Sequence, residues 1–190
     1  MLNADHLAGY DQIIDTFAFL NRLLAGDPLR PRFQQYARAV LRPAFDRVDW
    51  EAKPGEKGKT AALRASLIRG LGLLNDSDVI AGCRSRFDSF LSDPSSVAPD
   101  LRPAVFGVVG RYADSPTWEK LHRLGLKTNS TEEKQYLYEA LASAIDSRLI
   151  ARTLPIAPPR DAPTSPPHPL LPLASRTRSD PGAAGAWARA

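Results

Sequence analysis

The chain of 190 residues has one cysteine, Cys83, one methionine and three histidines. A lone cysteine excludes an internal disulfide framework and suits a reducing compartment, so the sequence points to a cytoplasmic protein. His6, His122 and His168 stand far apart, none belongs to an H-E-x-x-H helix pair, and none has a second ligand at helical spacing. One cysteine and three scattered histidines do not make a structural zinc site. No stretch of about 20 apolar residues exists, which leaves no membrane span. A basic-then-apolar leader pattern is missing from the first residues. So are the G-x-S-x-G turn of hydrolases and a phosphate-binding glycine loop. The residues therefore name no catalytic group, no cofactor-binding group and no metal ligand, and no cofactor is expected. Net charge is only +4. The surplus is scattered, with no basic stripe interleaved with aromatics, so neither nucleic acid nor membrane is expected as a partner.

Proline is plentiful but uneven. Nine of the 36 residues from Pro155 to Ala190 are proline, and Ala, Ser, Thr and Arg fill most of the rest. Proline removes backbone donors and blocks helix interiors. The sequence thus divides into a folded part, residues 1–154, and a disordered Pro/Arg-rich tail, residues 155–190.

Within the folded part the apolar residues recur every three or four positions. One set is Tyr10, Ile13, Ile14, Phe17, Leu20 and Leu24. The next is Phe33, Tyr36, Ala37, Val40, Leu41, Ala44 and Val48, with a kink expected at Pro43. Strand-like alternation is missing. Breakers lie between the periodic segments: Gly26-Asp27-Pro28, Pro54-Gly55, Asp93-Pro94 and Lys127-Thr128-Asn129. Ser130 with Glu133 fits a capping box, and Ser115-Pro116 fits an N-cap followed by proline.

"LLNDSDVIAGC", residues 73–83, sets Asp76 and Asp78 between two apolar runs. The pair fits a metal loop, two catalytic carboxylates or a turn between helices. Repetition favours the turn. With Asp76, Asp114 and Asp146 as origins, Leu67, Val105 and Leu137 stand nine residues earlier, and Ile68, Phe106 and Tyr138 eight earlier. Leu71, Val109 and Leu141 stand five earlier, Leu74, Tyr112 and Ala144 two earlier, and Ile80, Trp118 and Ile150 four later. The origins are 38 and 32 residues apart, the period of paired-helix solenoids. In that setting each Asp is an N-cap, worth ~1 kcal/mol. An EF-hand loop starting at Asp76 would need Gly and Glu where Ala81 and Phe87 stand. The fold class expected is all-α, an α-solenoid of paired antiparallel helices of HEAT or armadillo type.

Other residues get plain readings. Cys83 falls on the inward face with Val79 and Ile80 and reads as core. His122 reads as a surface or boundary residue. Gly70, Gly72, Gly107 and Gly110 lie inside helix patterns, where they are expected to allow close packing. Arg64, Arg84, Arg86, Arg102 and Arg111 offer a concave surface for peptide carboxylates, or else solvated helix faces.

One block carries more than pattern. Trp50 precedes Pro54-Gly55-Glu56, then come Leu63-Arg64 and a helix ending in Asn75-Asp76. "DLRPAVFGVVGRYADSPTWEKLHRL" and "STEEKQYLYEALASAIDSRLIARTL" follow in order. These blocks resemble the C-terminal helical domain, the ER-aminopeptidase-like domain, of aminopeptidase-N-type zinc metallopeptidases, over roughly residues 7–154. The resemblance implies a bowl of paired helices that caps an active-site chamber and contacts peptide. It also implies that catalysis belongs to another domain, with an H-E-x-x-H zinc site and a Gly-Ala-Met-Glu-Asn motif. Neither motif occurs here. The expected function is therefore a non-catalytic module, not an enzyme on its own. Its expected partner is the catalytic part of such an aminopeptidase or a peptide. Alternatives are a free-standing protein-binding scaffold and a truncated gene remnant. The resemblance covers part of the domain and stops near Leu154, where the tail is either a frame-shift product or a true extension. Missing neighbours would expose Ile145, Leu149 and Leu154 and favour self-association.

Overall fold

The computed structural model describes residues 4–156 except Lys57, with side chains from Gly9 onward. The tail expected from residue 155 lies outside the described residues beyond Ile156. Eight α-helices and no strand occur among the described residues, as the periodicity predicts. They are α1 (Ala4–Leu23), α2 (Arg30–Val48), α3 (Gly58–Leu73), α4 (Ser77–Ser92), α5 (Arg102–Arg111), α6 (Ser115–Lys127), α7 (Thr131–Ala142) and α8 (Ser147–Thr153). A 3-10 turn, Pro94–Ser96, follows α4. None of these helices is long and apolar enough to cross a membrane.

The helices pack in chain order. α1 lies on α3, α3 on α5 and α5 on α7, while α2, α4 and α6 each pack on the odd-numbered helix that follows, and α8 packs on α7. The repeat read from the sequence builds the seam between them. Of its fifteen apolar positions, all are buried except Tyr112, Ile80 and Ile150, which are half-buried. Phe106 sits at the centre of an aromatic cluster, edge-on to Phe87 at 5.4 Å and to Phe90 at 4.9 Å. Such offset contacts add to the area they bury.

Three of the four expected close-packing glycines fit that role. A methyl at Gly70 would press on Ile14, one at Gly72 would overlap Val108, and one at Gly110 would overlap the Ala140 backbone carbonyl. Gly107 does not fit: a methyl there meets nothing within 4 Å. The pattern missed Gly82, which lies directly under the Trp50 ring.

The first hairpin departs from the pattern. Of its expected apolar positions, Tyr36 is 63% exposed and Ile13 37%, because they face away from α3. Phe19, Leu23 and Leu29 are exposed as well. Pro43 lies inside α2, which runs through it without a break. At the other end Ile145 and Leu154 are exposed as expected, but Leu149 is 2% exposed, because it packs within the core beside α7.

Candidate functional site

Each aspartate of the repeat begins a helix. Asp76 accepts from the Val79 amide at 3.1 Å, Asp114 from Thr117 at 2.9 Å and Asp146 from Arg148 at 2.9 Å. A carboxylate in that place satisfies an orphan donor and opposes the positive end of the helix. Asp114, not Ser115, is therefore the cap of α6, with Pro116 in the first turn. The bonds from Thr117 hold the Asp114 carboxyl below its ordinary range, and the Arg148 side chain and amide do the same for Asp146. Ser130 caps α7 by accepting from Glu133 N, yet Glu133 does not bond back to it. Glu133 instead accepts from the Thr128 hydroxyl, and Thr128 Oγ1 accepts from Ser130 N, so a third side chain closes the box.

Asp76 also belongs to a larger constellation that the spacing did not reveal. Asn21 and Arg38 meet the end of α3, Arg42 meets the turn after it, and Arg30 and Gln34 hold Asn21. Asn21 Nδ2 donates to Leu73 O, and its Oδ1 accepts from Arg30 and Gln34. Arg38 donates to Leu74 O at 2.6 Å, and Arg42 to both oxygens of Asp76 and to Asp78. The four α2 residues are spaced by four, so one helix stripe reaches Asn21 of α1 with its first half and the turn between α3 and α4 with its second. Cationic side chains there meet the carbonyl-rich, negative end of α3. Asn75 at the turn adopts φ 61°, a left-handed conformation asparagine tolerates.

The five arginines proposed to face peptide are mostly engaged with their own chain. Arg64 is 1% exposed, and its guanidinium donates to the carbonyls of Val48, Asp49 and Glu51 and to both oxygens of Glu56. Arg84 donates to Tyr112 O. Arg86 lies 4.0 Å over the Trp50 ring and pairs with Glu51 at 2.9 Å. Arg102 donates to Val97 O and Pro94 O and approaches Glu133 at 3.4 Å. Arg111 has a buried Nε with no partner among the described residues. The expectation of a shared carboxylate-binding surface is thus corrected: Arg64, Arg84 and Arg102 serve backbone carbonyls, which the guanidinium fork suits, and Arg86 serves Glu51 and the Trp50 ring of its own chain.

Cys83 is fully buried, and burial pushes its thiol up to about 12, so it is core and not a nucleophile. His122 is half-buried between Trp118 and Tyr138, at 5.0 and 6.3 Å. His6 and His168 carry no described side chain. Among the described residues no three His, Cys, Asp or Glu side chains come together in a way that could hold a metal.

Two clefts lie beside these features. One, of about 250 Å³, is walled by Phe90, Phe106, Leu124, Tyr136 and Leu137. The other, of about 460 Å³, runs between α1 and α3.

The residues that carry the resemblance are now placed. Pro54-Gly55 makes a turn with Gly55 at φ 76°, Glu56 and Arg64 lock it, and Trp50 seats on Gly82. The model of a family described as the ERAP1-like C-terminal domain matches residues 2–165, most of the chain and eleven residues past Leu154. The chain belongs to the ERAP1-like C-terminal domain family. Aminopeptidase M1 of Arabidopsis thaliana is 27% identical over 135 residues, 68% of this chain and 15% of that protein. Glutamyl aminopeptidase of Mus musculus is 24% identical over 147 residues, 76% of this chain and 15% of that protein. Aminopeptidase M1-A of Oryza sativa subsp. japonica is 29% identical over 128 residues, 65% of this chain and 15% of that protein. The chain thus spans about 15% of the length of the curated relatives it matches. Its ERAP1-like motif residues build a turn and a helix junction.

Proposed function

We propose that this chain is a non-catalytic helical module of an aminopeptidase-N-type enzyme, a cap beside an active-site chamber that another part supplies. The contact order of the helices supports its reading as an α-solenoid of HEAT or armadillo type. One observation carries the functional reading: the family match fills most of the chain, while the residues behind it are spent on holding turns. Trp50, Glu56, Arg64 and Asp76 are bonded within the fold, which supports a structural role for them. The partner is the zinc-bearing catalytic part of such an enzyme, in the reducing cytoplasm that a single buried thiol suits.

The test is direct. The purified chain, with and without zinc, is incubated with aminoacyl fluorogenic substrates. No release is expected; zinc-dependent release that survives repurification would overturn the reading. Mixed with a catalytic part that lacks its C-terminal helices, the chain should bind and alter turnover of peptides.

A second reading, a free-standing scaffold that also self-associates, draws on the exposed apolar side chains at both ends: Phe19, Leu23 and Tyr36 at one, Ile145 and Leu154 at the other. Sedimentation of the chain at rising concentration tests it, and a monomer throughout rules self-association out.

A further inference from the structure

The cleft of about 250 Å³ takes its walls from the last turn of α4, the start of α5, the end of α6 and the start of α7. α4 packs on α3 and α5, and α6 on α5 and α7, so the ends of α4 and α6 flank the space from two sides. Phe90, Phe106 and Leu137 form its floor, and the half-buried Leu124 and Tyr136 its sides. Three charged groups share the rim: Arg102, Lys127 and Glu133. Arg102 is fixed in place without being used up. Its Nε donates to Val97 O at 3.1 Å and its Nη2 to Pro94 O at 2.9 Å, while Nη1 reaches Glu133 only at 3.4 Å. Its guanidinium lies 5.1 Å over the Phe90 ring. Of the five N–H donors of a guanidinium, one on each terminal nitrogen remains. Lys127 forms no ion pair among the described residues. Glu133 takes the Thr128 hydroxyl on Oε2 and keeps lone pairs on both oxygens.

We propose that this cleft binds a free α-amino acid with an aromatic side chain. The ring enters between Leu124 and Tyr136, the carboxylate meets Arg102 and Lys127, and the ammonium meets Glu133. Charge of both signs on the rim selects this class. A plain organic anion would face Glu133 as a like charge, and a plain amine would face Arg102 and Lys127; a zwitterion satisfies all three. The aromatic floor selects the side chain, since ring-to-ring contacts at the edges of Phe106 and Phe90 add to the area buried. Size sets the upper limit. The cleft is smaller than the ~300–1,000 Å³ that holds drug-sized molecules, so a single residue suits it better than a longer peptide. The inference does not depend on the aminopeptidase reading, since it concerns a space walled by α4 to α7 alone.

The probes are L-phenylalanine and three relatives that each lack one group. They are 3-phenylpropanoate without the ammonium, phenethylamine without the carboxylate and L-alanine without the ring. Ligand-observed NMR titrations are read with the full chain at low ionic strength. L-Phenylalanine binds saturably, and each relative binds about fivefold more weakly or less, the scale of one rim ion pair lost. Lys127→Gln, at an exposed helix end, weakens L-phenylalanine and 3-phenylpropanoate alike and does not weaken phenethylamine. Leu124→Trp, which fills the space, abolishes binding of L-phenylalanine while the circular dichroism spectrum is unchanged. The ligand series on the unaltered chain stands whether or not that variant folds. No saturable binding of L-phenylalanine, equal binding of 3-phenylpropanoate or of L-alanine, or L-phenylalanine binding unchanged by Lys127→Gln overturns the proposal.

Discussion

Arg42 Nη2 donates to both carboxylate oxygens of Asp76, at 2.8 and 2.9 Å, while Asp76 Oδ1 also accepts from the Val79 amide. One side chain therefore caps α4 and fastens α2 to the turn that precedes it. Asp114 has no such second partner among the described residues, and the arginine that Asp146 holds, Arg148, is its own neighbour. Three residues that look alike along the chain thus differ in weight. Asp76→Ala loses a cap and leaves Arg42 with the exposed Asp78 as its one carboxylate partner, for about 2 kcal/mol. Asp114→Ala loses a cap, for about 1 kcal/mol. Urea unfolding of the two variants measures the difference, and equal losses would show that the Arg42 tie contributes nothing. Calcium should leave the melting temperature of the unaltered chain where it is.

Arg64 is the buried cation on which the segment from Val48 to Glu56 is folded. Its fork holds Glu56 at 2.6 and 2.7 Å and three carbonyls besides. Removing one partner of a buried pair strands the other, so Arg64→Met is expected to cost about 3–5 kcal/mol. Arg64→Lys should recover little, because a single ammonium cannot meet Glu56 and the carbonyls together. Chemical denaturation of both variants, followed by Trp fluorescence, checks this.

The same pair gives stability a pH dependence with a definite sign. The Arg64 bonds hold Glu56 below the ordinary 4.5. The unfolded chain therefore takes up this proton first as pH falls. The contribution is complete above about pH 4.5, declines below it, and is gone once pH passes the lowered folded value. Asp93, Asp114 and Asp146 are lowered from 3.8 by their hydrogen bonds and act in the same direction further down. Glu56→Gln should be less stable at neutral pH and lose stability less steeply just below pH 4.5. Unfolding free energy measured across the acid range separates the two curves, and parallel curves would remove Glu56 from the account.

Asp49 has φ 59° and ψ −177°, a conformation that suits glycine. It is kept there because its carbonyl meets Arg64 and its carboxylate accepts from the Trp50 amide. Asp49→Ala keeps the Cβ strain and loses the carboxylate bond, whereas Asp49→Gly relieves the strain. The glycine variant is expected to be more stable than the alanine variant by about 1 kcal/mol, reversing the usual order of the two residues. Paired thermal melts decide it.

The apolar repeat and its caps were legible because both are local: a helix face recurs every few residues, and a cap bonds within three. The polar ties were not. Arg42 lies 34 residues from Asp76 and Asn21 lies 52 from Leu73, and no spacing rule links such pairs. The arginines accordingly looked like a free surface when most of them hold turns. The first hairpin was misjudged for a related reason. Periodicity marks Tyr36 and Ile13 as apolar but cannot say whether a neighbour covers them. The sequence block around Pro54-Gly55-Glu56 and Arg64 pointed to the right family, though not to the bonds that make those residues a unit.

Glycine shows the same divide and offers a sharp test. Gly107 and Gly110 share α5, one turn apart, and look equivalent in the sequence. Gly110 lies against the carbonyl of Ala140, on the seam where α5 meets α7, and a methyl there must drive the helices apart. Gly107 is half-buried in open space, with nothing within 4 Å of an added methyl. Alanine also favours a helix interior by about 0.8–1 kcal/mol over glycine. Gly107→Ala should therefore stabilise the chain by up to that amount. Gly110→Ala should destabilise it by about 1–3 kcal/mol, since overpacking outweighs propensity. Melting temperatures moving in opposite directions would establish that the α5–α7 contact is as close in solution as it is here. A stabilised Gly110→Ala chain would mean that the two helices stand further apart.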